Sequence, residues 1–281
     1  MRSVTASTDN HSPRRTHPVI KAAFFDIDGT LLSFTTHRVS PGTIAAFDTL
    51  RRHGVRTFIS TGRPTRLIPS FPFRFDGYIT MNGGYCYLPS ADGSVAGRKV
   101  LLSNPIPQHL SDRWLRYADD NGVVTFAFTD DKLYLNRMDE ATAALQRQLD
   151  FEMPPVKPAG EMIGMTVYQF IVMQPPADDA KVLAMLPQCR MPRWHPAFSD
   201  LIADGNSKAA GMQAIIDHFG IRQQDTIAFG DGDNDIEMLE FAGIGVAMGN
   251  ANDNVKAHAD LVTTPVDNEG IQQALHQLGI C

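Results

Sequence analysis

At 281 residues, 43% hydrophobic and 20% charged, the chain has the composition of a soluble globular protein with one large domain or two modest ones. A formal charge of −6 excludes a general nucleic-acid binder, whose surface must be basic against phosphate, although a local basic pocket is still allowed. No apolar stretch approaches the ~18 residues needed to span a membrane. Three widely spaced cysteines, Cys86, Cys189 and Cys281, form no CxxC pair, which points to a reduced, cytoplasmic compartment and no disulfide frame.

Residues 1–18, rich in Ser, Thr, His and Arg, read as a disordered tail. Arg14-Arg15 is not followed by an apolar export segment, because His17-Pro18 intervenes and the next apolar run stops at Asp26. Residues 19–25 read as a buried strand. Ser40-Pro41 then opens a helix, with Ser as N-cap and Pro in the first turn. Ile44, Ala45, Phe47 and Leu50 give this helix an apolar face, and Gly54 ends it. Residues 55–59 form a second strand and 77–80 a third, so the order is that of right-handed crossovers in a parallel sheet.

The texture changes after residue 84. Strand-like alternation covers 125–135, another strand covers 166–173, and helical stretches lie near 108–120, 139–150 and 177–187. Residues 151–158 form a Pro-rich connection. From Asn206 the α/β rhythm returns. Helices are predicted over 207–219, 235–242 and 252–258, and strands over 226–229, 244–248 and 260–263. The pattern predicts a doubly wound α/β core at 19–84 and 198–281, interrupted by an α+β insertion at 85–197.

Chemistry gathers at the predicted strand ends, where open parallel sheets bind ligands. In Asp26-Ile27-Asp28-Gly29-Thr30 the first carboxylate is fixed by its strand and the second can face the same pocket, because Gly29 lets the chain turn. That spacing suits a nucleophile and a general acid/base, although an Asp-Gly turn after a strand gives the same letters. Ser60-Thr61-Gly62 can hold an anion with a hydroxyl and free N–H groups, or simply cap the helix before Pro64. Lys208 sits at a helix start, where a cation opposes the helix dipole. It either meets an anion there or is a solvated surface lysine. Gly230-Asp231-Gly232-Asp233-Asn234-Asp235 offers three carboxylates and an amide in five residues, more than capping needs. Gathered carboxylates repel one another unless a cation sits among them, and oxygen-only ligands favour a hard ion such as Mg²⁺. The methionines and Trp114 and Trp194 read as packing residues, and His195 lacks a companion at metal-ligand spacing.

These segments, together with Arg63-Pro64, Asn82-Gly83, Ser207-Lys208, the run Val246 to Ala251 and Glu269-Gly270-Ile271, resemble the haloacid-dehalogenase-like phosphatases. The nearest subgroup is the Cof-type one, with a large α/β cap (type IIB). The match runs from about residue 20 to the end and is weakest in the cap. The resemblance implies that Asp26 takes the phosphoryl group as an aspartyl-phosphate, and that Asp28 protonates the leaving group and then activates water. It implies that Thr61, Gly62 and neighbouring N–H groups hold the phosphoryl oxygens and that Lys208 neutralises charge there. It further implies that Asp26, Asp231, Asp235 and the backbone carbonyl of Asp28 bind Mg²⁺, with Asn234 and Arg63 as further substrate contacts.

The expected partner is therefore a small-molecule phosphate ester, with no nucleic acid and no membrane. Sugar phosphates, flavin mononucleotide, pyridoxal phosphate and pyrimidine phosphates all stay open, as does the oligomeric state. Two rival readings are a sugar phosphomutase of the same superfamily and a receiver-like phospho-acceptor module. The first lacks a recognisable second phosphate site. The second does not carry an insertion of ~100 residues or an acid two positions after the nucleophile.

Overall fold

The computed structural model describes residues 19–149, 152–193 and 196–280. The predicted tail at 1–18, together with Trp194, His195 and Cys281, lies outside the described residues.

Eight strands make the larger sheet: β1 (Ala22–Phe25), β2 (Arg56–Ser60), β3 (Gly77–Thr80), β4 (Tyr85–Leu88), β5 (Lys99–Ser103), β11 (Thr226–Gly230), β12 (Ile244–Ala247) and β13 (Leu261–Val262). The spatial order is β13-β12-β11-β1-β2-β3-β4-β5. The first six neighbours run parallel, and β4 and β5 are antiparallel additions. Five strands make a smaller antiparallel sheet: β6 (Val124–Phe128), β7 (Leu133–Leu135), β8 (Gln169–Met173), β9 (Cys189–Arg190) and β10 (Ser199–Ala203), ordered β7-β6-β8-β10-β9.

Parallel strands buried on both faces need apolar residues at every position, and β1 reads Ala-Ala-Phe-Phe. Ala23 and Phe25 meet Phe47 and Leu50 of helix Pro41–Arg52, and Ile271 and Leu275 of helix Gly270–Gln277. Ala22 and Phe24 point the other way, to Met212, Ile215 and Ile216 of helix Lys208–Phe219 and to Met238 and Leu239 of helix Ile236–Phe241. The core is thus doubly wound. β1 lies between β2 and β11 at the point where the strand order reverses, which is where ligands sit in such sheets.

The smaller sheet carries its own core. One face packs Phe170, Val172 and Leu201 against Trp114 and Leu115 of helix Gln108–Asp120 and Val182 of helix Asp179–Met185. The buried Trp114 indole donates to Thr125 Oγ1 at 3.1 Å, in line with its predicted packing role. The opposite face brings Phe126, Phe128 and Leu135 onto Met81, Tyr85 and Tyr87. Among the described residues, no helix is long and apolar enough to cross a membrane.

Sheet membership moves both predicted boundaries of the insertion. β4 and β5, placed in the insertion by sequence, extend the larger sheet, and β10, placed in the core, pairs with β8 and β9. The chain leaves the larger sheet after Ser103 and finishes the smaller one at Ala203. A hairpin at the β3 end hides the first crossing, because β4 continues the sheet by reversing direction over a three-residue turn. The alternation at 125–135 is likewise two strands, folded back at a turn where Thr129 N–H donates to Lys132 O at 2.9 Å.

Candidate active site

β1, β2 and β11 end together, and each delivers part of the site. Asp26 follows β1, with its N–H bonded to Phe229 O at 3.0 Å, and it is only 7% exposed. Asp231 follows β11. Gly29 (φ +82°) lets the first loop turn back over Asp231, since a Cβ there would lie 2.1 Å from Asp231 Oδ2. Thr30 Oγ1 donates to Asp231 Oδ1 at 3.1 Å.

Lys208 is the centre of the charge arrangement. Its side chain is fully buried, and Nζ donates to Asp26 Oδ1 at 2.6 Å and to Asp235 Oδ1 at 2.5 Å. The surface-lysine reading is therefore excluded. Ser207 caps the helix by accepting from Ala210 N–H at 3.1 Å, so Lys208 enters in the first turn and reaches straight down to the β1 end. Burial works to lower the Lys208 pKa, but Asp235 and Asp26 outweigh it and hold the ammonium above its usual value. Asp235 Oδ2 accepts from the N–H groups of Asp231 and Gly232 at 3.0 and 2.9 Å, which pins that loop as well.

Carboxylate oxygens of Asp26, Asp231 and Asp235 come within 4.8 Å of one another. Burial is the main cause that raises the Asp26 pKa well above the usual carboxylate range, with Asp235, Asp231 and Asp28 adding to it and Lys208 opposing it. Burial and Asp235 push Asp231 up to about 7, against Thr30 and Lys208. One lysine does not balance three acids, and an oxygen-only donor set of this kind fits a hard divalent cation.

The remaining predicted residues fall around this centre. Asp28 does not join the carboxylate cluster through its side chain. Its two oxygens accept from Arg63 Nε and Nη2, both at 2.7 Å, in a fork-to-fork pair. Arg63 Nη1 also donates to Leu67 O at 2.8 Å. Arg63, expected as a substrate contact, thus engages the acid/base candidate instead, because a planar guanidinium at the β2 end matches the Asp28 carboxylate. Thr61 is buried, and its Oγ1 accepts from Arg63 N–H at 3.1 Å, so it closes the turn as well as facing the site. Gly62 lies against Asn82, whose Oδ1 would be 3.1 Å from a Cβ at that position.

Asn234 Nδ2 donates to Asn82 Oδ1 at 3.0 Å, and Asn82 Nδ2 donates to Asp200 Oδ2 at 3.1 Å and to Gln169 Oε1 at 3.3 Å. Asn82 reaches all three from a turn with positive φ at Met81, Asn82 and Gly83. Gln169 and Asp200 lie on β8 and β10 of the smaller sheet and are buried, and sequence reasoning did not select them. The available signal was an acid inside the apolar run Phe198 to Ala203. A cavity of about 170 Å³ lies here, lined by Asn82, Arg190, Asp200, Lys208 and Asn234 among others.

A family model described as haloacid dehalogenase-like hydrolase matches residues 23–275. The Bacillus subtilis protein YkrA is 30% identical over 267 residues, covering 92% of this chain and 98% of that protein. A solved structure described as the HAD subclass IIB sugar phosphatase BT4131 superposes with a TM-score of 0.83 at 38% identity, covering 93% of this chain and 100% of that one. BT1666 from Bacteroides thetaiotaomicron, described among phosphatases of the HAD superfamily, superposes with a TM-score of 0.85 at 33% identity, covering 98% and 100%.

Proposed function

The chain belongs to the haloacid dehalogenase-like hydrolases and is a phosphatase, and from that premise we propose that it hydrolyses a small phosphate monoester in a Mg²⁺-dependent reaction through a phosphoryl group carried on Asp26. The observation that carries this reading is the fully buried Lys208 held between Asp26 and Asp235, beside the triangle of three carboxylates. A carboxylate can attack an anionic phosphate only where cationic groups offset the repulsion, and phosphoryl transfer is mainly positioning and charge stabilisation.

Asp26, Asp231 and Asp235 would hold the ion together with the main-chain carbonyl of Asp28. Bound there, the ion supplies positive charge against the phosphoryl oxygens. Asp26 attacks phosphorus, so that an Oδ–P bond forms while the P–O bond to the leaving group breaks. Asp28 gives its proton to the departing alkoxide, and in the second half takes a proton from the water that attacks the same phosphorus and frees Asp26. Lys208 stays against the phosphoryl group and Asp26 throughout. Thr61, Gly62 and nearby N–H groups face the phosphoryl oxygens.

The size and polar lining of the cavity beside Lys208 support a small, polar leaving group. The relative described as a sugar phosphatase favours a phosphorylated sugar over the other open classes. The free thiols of Cys86 and Cys189 agree with the cytoplasmic location we propose. A panel of phosphate monoesters, assayed with Mg²⁺ and again with excess chelator, tests the proposal. Turnover of at least one small ester that stops with chelator is expected. Full activity in chelator would refute the metal assignment, and phosphate release from none of the panel would refute the small-ester reading.

A further inference from the structure

Asn250 belongs to none of the roles above, yet it touches both loops that bear the acids. It follows β12 in the segment Met248 to Ala251, whose path is fixed by Met248 N–H on Gly230 O at 2.9 Å and Gly249 N–H on Thr264 O at 3.2 Å. Only glycine fits at 249, since a Cβ there would lie 2.6 Å from the Pro265 backbone nitrogen. The segment therefore runs hard against 263–265 and presents Asn250 to the site.

The orientation of the Asn250 amide is set by its partners. Val266 N–H donates to Oδ1 at 2.9 Å, so Nδ2 must face acceptors. It finds two: Gly29 O at 2.9 Å and Asp231 Oδ2 at 3.1 Å. With Thr30 on Asp231 Oδ1, both oxygens of this carboxylate are held by side-chain donors from different parts of the chain. One amide thus ties the residue after Asp28 to the aspartate that follows β11, positions 221 and 19 residues away from it in sequence.

We propose that Asn250 is a positioning residue for the divalent cation, orienting Asp231 toward Asp26 and Asp235 while fixing the Gly29 peptide against it. The inference rests on the metal reading above. A carboxylate that is free to rotate must be ordered when the ion binds. A donor anchored at its far end by the Val266 N–H has already met that cost. Loss of such an outer partner typically lowers metal affinity ~10–100-fold.

The test uses the full chain and Mn²⁺ as probe, titrated by electron paramagnetic resonance of the free ion. Wild type is compared with Asn250→Ala, Asn250→Ser and Asn254→Ala. Ser keeps a hydroxyl near Val266 but is too short to reach Asp231, so it guards against a variant that fails to fold. Asn254 is exposed and bonds Asp233, outside the carboxylate triangle, at 3.1 Å. The expected result is a Kd for Mn²⁺ raised ~10–100-fold in the Asn250 variants and unchanged in Asn254→Ala. Turnover at saturating metal should be largely retained, and melting in chelator should be close to wild type for Asn250→Ser. Wild-type Mn²⁺ affinity in either folded Asn250 variant overturns the inference and leaves the metal reading standing. A wild-type protein that binds no Mn²⁺ overturns both.

Discussion

Replacing Lys208 with alanine removes the single cation that touches both Asp26 and Asp235. Two consequences can be sized. The three acids have oxygens within 4.8 Å, so each ionised pair left unshielded repels by about 3 kcal/mol at an effective dielectric of 20. Removing one partner of a buried ion pair typically costs about 3–5 kcal/mol of stability. The cost here should fall at the low end, because Asp235 keeps its two N–H donors and the carboxyls can take up protons. In catalysis, loss of one preorganised charge-stabilising group typically costs ~2.7–4 kcal/mol, or about 10²–10³ in turnover. Because Lys208 faces the place where phosphoryl charge develops, kcat should fall by that factor while KM changes much less. The assay is steady-state hydrolysis of the best ester from the panel at saturating Mg²⁺, with circular dichroism confirming the fold. A folded variant whose kcat stays within about threefold of wild type would refute the reasoning, since a group worth ~2.7 kcal/mol or more cannot vanish without a larger effect.

Asp26→Asn should abolish turnover, because an amide oxygen is a poor nucleophile, and Asp28→Asn should slow it severely and let an acyl-phosphate accumulate, visible as a mass shift of the intact protein. Near wild-type hydrolysis by Asp26→Asn would end the covalent mechanism. Arg63→Ala should lower kcat, not only raise KM, because its two 2.7 Å bonds orient Asp28, and about tenfold is expected from the loss of a charged bidentate pair. A pure KM effect would return Arg63 to the role of substrate contact. In chelator, the melting temperature should fall as pH rises from about 4 toward 7 and recover with Mg²⁺. Asp231 holds its proton up to about 7 in the fold but only to 3.8 when unperturbed, so in that window the folded chain binds more protons and loses stability as they leave. A flat melting profile across the window would contradict this.

The sequence alone determined the elements that local chemistry dictates. The Ala-Ala-Phe-Phe run before Asp26 can only be a strand buried on both faces, and Ser40-Pro41 and Ser207 can only open helices. Asp26, Asp231, Asp235 and Lys208 were legible for the same reason, because charged residues directly after apolar strands have few bland explanations. Pairing across the chain was not legible. Nothing local says that Arg63 turns to Asp28, that β10 crosses into the smaller sheet, or that Asn250 meets residues 19 and 221 positions away. Gln169 and Asp200 look like ordinary strand residues until antiparallel pairing of β8 and β10 sets them on Asn82. These contacts depend on where strands end relative to one another, a property of packing in three dimensions that hydrophobic periodicity along one segment does not encode.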